Sequence, residues 1–182
     1  MNANTRDEVI FEHIQAPIFV EVAHGDAGAE LVMRRDYLHA PDKLWDLITQ
    51  PDLLAHWSPI VPDRVLNTAG SAVCRENPED EPNNAEVLEA VAPQKLIHHW
   101  GDDVVTWTIS PTESGASLEL RQSLGDEQFA SMLAAGWQVC LGRLAPEEDG
   151  VDRERVVGQR AKAYGWEELN EHYQKSLNTG SE

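Results

Sequence analysis

Two adjacent histidines, His98 and His99, stand in the run Lys95–Trp100, and a third, His56, sits beside Trp57. An imidazole titrates near neutral pH, so it can take a proton from a bound substrate or give one to it. Neighbours on a strand point to opposite faces. His98 and His99 therefore cannot share one ion, and His98 goes with Leu96 and Trp100. His98 and His56 are the candidate catalytic groups, weighed against the commoner role of a hydrogen-bonded structural histidine.

The chain also holds six tryptophans. Trp45, Trp57, Trp100, Trp107 and Trp137 fall in segments expected to face one interior. Rings of this size either fill a core or line a small-molecule site in which an indole N–H orients an apolar ligand. Met132, Cys140 and Leu141 share a helix face with Trp137, so the candidate ligand-binding set is Trp45, Trp57, His98, Trp100, Trp107, Met132, Trp137, Cys140 and Leu141. Cys74 and Cys140 make neither a CxxC pair nor a disulfide framework and read as reduced structural thiols.

Other chemistries lack their residues. No HExxH, paired ligand spacing, GxSxG elbow, phosphate loop or dinucleotide fingerprint occurs. The acidic stretch 76–84 (ENPEDEPNN) has two prolines and no calcium-loop register, so neither a metal nor a cofactor is expected. With 32 acidic against 14 basic residues the formal net charge is −18, a field that repels nucleic acid and anionic membranes. The N-terminus is broken by charges and no apolar run is long enough to span a bilayer, which predicts a cytoplasmic protein, monomer or homodimer.

The elements that must position these residues follow from periodicity. Phe129, Met132, Leu133, Gly136, Trp137, Cys140, Leu141 and Leu144 repeat at helical spacing and predict one long helix with a buried face. Ahead of it, Ile18–Val22 and Glu30–Leu38 read as a strand pair around the turn-rich 24–28, the second strand with apolar residues on both parities. Residues 2–15 give no firm pattern. Pro41–Thr49 suits a short helix, with Pro41 at its first position and Asp42 at its positive end, and Pro51 restarts a second turn. Arg64–Asn67 and Ser71–Arg75 are predicted strands around Gly70. Ala85–Val91, Lys95–Trp100, Asp103–Ser110 and Ala116–Ser123 form a meander. Beyond Pro146 a second helical region carries Val156, Val157, Ala161 and Tyr164, then Trp166, Leu169, Tyr173 and Leu177, before a disordered tail from Asn178. The expected class is α+β, a helix laid across an antiparallel sheet.

The order of these elements and their words resemble the heat-shock-protein-90 ATPase activator-like family of the START-like (SRPBCC, helix-grip) superfamily. The matching words are Arg35-Asp36-Tyr37 with Ala40-Pro41 and Leu44-Trp45, Pro51-Asp52-Leu53 with Trp57, Glu86-Val87-Leu88-Glu89 with Pro93, Leu96 and Trp100, Trp107-Thr108 with Leu118, and Ala135-Gly136-Trp137 with Leu141 and Leu144. Between Val65 and Asn84 the sequence departs from that pattern. The resemblance implies one START-like domain over 1–182, its core about 31–145, with a curved antiparallel sheet wrapped around the long helix, two short helices after the first strand and a helical extension over 151–178. It implies an apolar or aromatic small molecule held between sheet and helix. The alternatives are a polyketide cyclase- or dehydratase-like enzyme using a cavity histidine, or a chaperone-regulating interaction protein. A chaperone contact is suggested only by the family's name, and the eukaryotic activators carry an additional N-terminal domain.

Overall fold

Alternation of inward and outward side chains builds the sheet. The computed structural model describes residues 3–149 and 156–178. Helix α1 (Ala3–Ile14) precedes strands β1 (Phe19–Gly25) and β2 (Gly28–Tyr37), then α2 (Pro41–Thr49), α3 (Pro51–Leu54), β3 (Val61–Pro62), β4 (Val73–Arg75) and β5 (Asn83–Asn84). The meander follows as β6 (Val87–Val91), β7 (Lys95–Trp100), β8 (Asp103–Pro111) and β9 (Ala116–Leu124), then α4 (Ala130–Leu144) and α5 (Trp166–Asn178). Six strands make one antiparallel sheet in the order β1-β2-β9-β8-β7-β6, and β3-β4-β5 make a small second sheet.

Register decides which side chains share the inner face. Leu96 pairs with Trp107, Trp107 with Leu120 and Leu120 with Met33; the next inward row joins His98, Val105, Gln122 and Leu31. The two-parity ambiguity of β2 resolves in the same way. Leu31, Met33 and Tyr37 enter the core, whereas Val32, also buried, lies on the other face between Glu21 and Arg121 of the adjoining strands. Helix α4 crosses the inner face, where the Tyr37 hydroxyl donates to the Leu141 carbonyl at 2.8 Å.

Three expectations are corrected. Residues 2–15, left without a pattern, contain α1. Among its described side chains Ile10 and Ile14 are the buried ones of apolar character, and the carbonyls at its end are satisfied from far away in sequence, His13 by Arg35 at 2.6 Å and Ile14 by Gln138 at 2.8 Å. Arg64–Asn67 is not a strand. The Arg64 guanidinium donates to the carbonyls of Val65, Thr68, Gly70 and Ser71, so that loop is held by one side chain instead of a ladder. The stretch before Gly165 is a 3-10 segment (Gly158–Tyr164), ended by a left-handed Gly165 (φ 88°), and only then does α5 begin. Residues 151–155 of the expected extension and 179–182 of the expected tail lie outside the described residues.

The long helix is also less one-sided than its apolar stripe suggests. Phe129 and Met132 are about half exposed, while Ala135, Gln138, Val139 and Gly142 are buried. The cause is the cover on its back. Ile10, Ile14 and Val139 cluster there with Val156 and Tyr164, and the Tyr173 hydroxyl of α5 bonds to Gln138. At Gly142 the approach is closest: a Cβ would lie 2.6 Å from Ile14 Cγ1 and 2.7 Å from its Cα. Because the obstacle is backbone, Gly142→Ala must lift α1. It is expected to lose about 1–3 kcal/mol of stability in urea titration, whereas Ala at Gly136, whose nearest neighbour would be 3.8 Å away, should be tolerated.

Candidate functional site

Four indoles touch in series, Trp137 being contributed by α4 itself. Trp57 meets Trp107 at 6.0 Å between ring centroids, Trp107 meets Trp137 at 5.5 Å, and Trp137 meets Trp100 at 5.5 Å, all edge to face. Trp57 follows α3 and donates its N–H to the Leu47 carbonyl at 2.9 Å. Trp107 donates to His98 Nε2 at 3.0 Å, and Trp137 donates to Gln122 Oε1 at 2.8 Å. The acceptors are the two polar side chains of the inward row set by strand register. Gln122 is itself aimed by a 3.0 Å bond to Asp103. These three indole N–H groups are thus spent inside the protein and do not orient a ligand.

The same network settles the state of His98. Its Nδ1 donates to the His99 carbonyl at 2.9 Å while Nε2 accepts from Trp107, which requires a neutral ring with its proton on Nδ1. Burial pushes its pKa down to about 4 despite the backbone hydrogen bond. His98 is a structural acceptor with both nitrogens engaged, which corrects its candidacy as general acid or base. His56 is half exposed and bonds through Nδ1 to Glu147. Burial alone would raise the Glu147 pKa, but hydrogen bonds from His56 and from Arg143, the latter at 2.7 Å, hold the carboxyl below its usual range.

An open cavity of about 270 Å³ begins where the indole line ends. One wall is Trp100 of β7 with Met132, Gly136, Trp137 and Cys140 of α4; the other is Val157, Ala161, Lys162 and Trp166 of the segment after α4. Glu76 and Pro59 also line it. The Cys140 thiol reaches across to the Val156 carbonyl at 3.9 Å. Of the candidate residues, Trp100, Met132, Trp137 and Cys140 are thus brought together. Trp57, His98, Trp107 and Leu141 pack in the core, Trp45 is buried on α2, and neither His56 nor His98 borders this space. Trp166 and Lys162, which also line the cavity, are not among the candidate residues read from the sequence. Trp166 had been read only as part of a packing stripe, and an exposed lysine carries no signal of its own.

Larger clefts of about 660 and 710 Å³ flank α5, but their walls include exposed polar chains such as Glu21 and Gln174 in one and Gln15 and Glu168 in the other. A mostly apolar wall distinguishes the tryptophan cavity. Among the described residues no cluster of His, Cys, Asp and Glu could hold a metal ion, and no helix is long and apolar enough to cross a membrane.

The His98 environment has a measurable consequence. Its folded pKa of about 4 lies below the ordinary 6.5, so the unfolded chain binds the extra proton between those values. Its contribution is therefore complete above about pH 6.5 and is lost as pH falls toward 4, on the order of 3 kcal/mol. His98→Gln keeps an acceptor for Trp107 without the titration. Urea unfolding of the two proteins across this range should show a shallower loss in the variant; equal slopes would contradict the assignment.

Comparison with known proteins places this geometry. The profile of the family described as Activator of Hsp90 ATPase homolog 1-like protein matches residues 39–147, more than half of the chain. Among solved structures, CalU16 from Micromonospora echinospora aligns over 88% of this chain and 97% of its own at 19% identity and a TM-score of 0.65. A conserved protein of unknown function, EF2215 from Enterococcus faecalis, aligns over 95% and 97% at 14% identity and a TM-score of 0.69. DynU16, described as a putative protein in the dynemicin biosynthetic locus, aligns over 66% of this chain and 47% of its own at 20% identity and a TM-score of 0.58. No protein with a curated description matches. With its large antiparallel sheet, paired short helices and long C-terminal helix, the chain belongs to the Activator of Hsp90 ATPase homolog 1-like family and has the START-like fold.

Proposed function

We propose that the protein binds a small apolar, ring-bearing molecule in the cavity between Trp100, the Gly136 face of α4 and the Lys162–Trp166 segment. The observation that carries this reading is the meeting of three indoles, Trp100, Trp137 and Trp166, around space that Gly136 leaves open. Two of them come from the sheet-and-helix core and the third from the added segment. A volume of about 270 Å³ suits a compact ring system better than a long lipid chain. The ligand sits beside the helix, not deep beneath it, because the space under α4 is occupied by the Trp57, Trp107 and Trp137 rings. A fold neighbour from a biosynthetic locus, DynU16, is in keeping with a small-molecule role. Binding is put forward in preference to cyclase or dehydratase chemistry, since His56 and His98 do not line this space.

The test fills the cavity without cutting into the core. Gly136→Leu projects a branched side chain toward Trp166 Nε1, which would lie 3.8 Å from a Cβ at that position. Titration with the uncharged fluorophore N-phenyl-1-naphthylamine should saturate in the wild type. The variant should bind at least about tenfold more weakly while keeping its melting temperature, the tenfold loss corresponding to about 1.4 kcal/mol of excluded contact. Failure of the wild type to saturate, or equal affinity in the two proteins, would overturn the reading.

A further inference from the structure

The cavity is apolar over most of its wall, so its few polar groups decide which ring it takes. Trp137 borders it but has already given its N–H to Gln122. Trp166 has no hydrogen-bond acceptor among the described residues, and its Nε1 lies close over the Gly136 surface of the cavity. Trp166 is half-buried, so its N–H is open to a partner that enters the cavity. Four residues earlier, Lys162 lines the same wall and makes no ion pair among the described residues, although acidic groups outnumber basic ones by 32 to 14. Glu76, the other charged residue of the lining, already has a partner of its own. Among the described residues the uncommitted polar groups of this wall are therefore a neutral donor and a cation, with no uncommitted carboxylate beside them.

We infer that the ligand is an acidic aromatic compound, a ring bearing a carboxylate or phenolate oxygen that accepts from the Trp166 indole N–H and the Lys162 ammonium. This rests on the binding reading above and makes Trp166 and Lys162 its specificity-determining residues. The ring lies against Trp100 and Trp137, and the oxygen turns to the opposite wall. The net charge of the whole protein opposes an anion only weakly at this range: its field is screened over about 8 Å at physiological ionic strength, whereas Lys162 is in direct contact. Both specificity groups lie outside the family-matched residues 39–147, so the choice of ligand is made by the segment after α4.

Matched two-ring probes read this directly. 2-Naphthoate, naphthalene and 2-naphthylmethylamine are titrated by tryptophan fluorescence into the wild type, Trp166→Phe, Lys162→Met and Gly136→Leu. The expected order in the wild type is naphthoate first, at least about tenfold tighter than naphthalene, with the amine weakest. Trp166→Phe keeps a ring and removes only the donor. It should weaken naphthoate about two- to tenfold, the range of one hydrogen bond, and leave naphthalene unchanged. Lys162→Met should act in the same sense on naphthoate alone. Equal affinity for naphthoate and naphthalene, preference for the amine, or an unchanged naphthoate affinity in both variants would overturn the inference. If naphthalene binds the wild type but not Gly136→Leu while those negative results hold, the binding site stands and only the acidic ligand falls; if no probe binds, both fall.

Discussion

Two buried indole N–H groups need acceptors in the middle of an otherwise apolar interior, and that requirement organises the space between sheet and helix. An unsatisfied donor at such depth costs about 1–3 kcal/mol. Trp107 and Trp137 avoid it through His98 and Gln122, two strands apart on the same inward row. Strand register, a neutral His98 and the seat of α4 are thereby linked. A one-residue slip of β7 or β9 would turn the acceptor outward and leave an indole unpaired. His98, which attracts attention as possible acid–base chemistry, is thus with Gln122 the polar framework of the core.

The back of α4 has its own polar fastening. Gln138 takes the Tyr173 hydroxyl and gives its amide hydrogen to the Ile14 carbonyl, so one side chain meets both α1 and α5. Burial pushes the Tyr173 pKa up to about 12, which keeps the phenol a donor at any physiological pH. Gly142 allows α1 to reach that position. The helix is therefore held by indoles in front and by an amide and a glycine behind, which explains why its burial runs nearly all round.

Much of this was legible in the residues, and what was not has physical reasons. Pro41–Thr49 and Lys95–Trp100 were read with the bounds observed, because Pro fixes a helix start and alternation marks a half-buried strand. The long helix was one residue off. Helix α1 was invisible because two isoleucines are a thin stripe and its end is capped by Arg35 and Gln138, partners that local pattern cannot supply. At Arg64–Asn67 the propensity for strand lost to a guanidinium that takes up the carbonyls. Around the cavity, the sequence singled out the indoles but could not sort them. Whether an indole packs in the core or borders open space is fixed only when strands pair and helices seat against them: Trp137 gives its N–H to Gln122 and still borders the cavity. Trp57 and Trp107 went inward, Trp100 reached the edge, and Lys162 came into view only once the segment after α4 folded back beside Gly136.

The two walls of the cavity come from different stretches of chain. Trp100 and the α4 face belong to the part that carries the sheet, the indole line and every hydrogen bond between them, whereas Lys162 and Trp166 stand on a short segment that contributes no strand. Holding the fold and shaping the outer wall of the cavity are therefore separable tasks. Substitutions at Lys162 and its exposed neighbours touch no strand pairing and none of the indole N–H bonds to Leu47, His98 and Gln122, so the outer wall of the cavity is free to change shape and charge while the interior stays fixed.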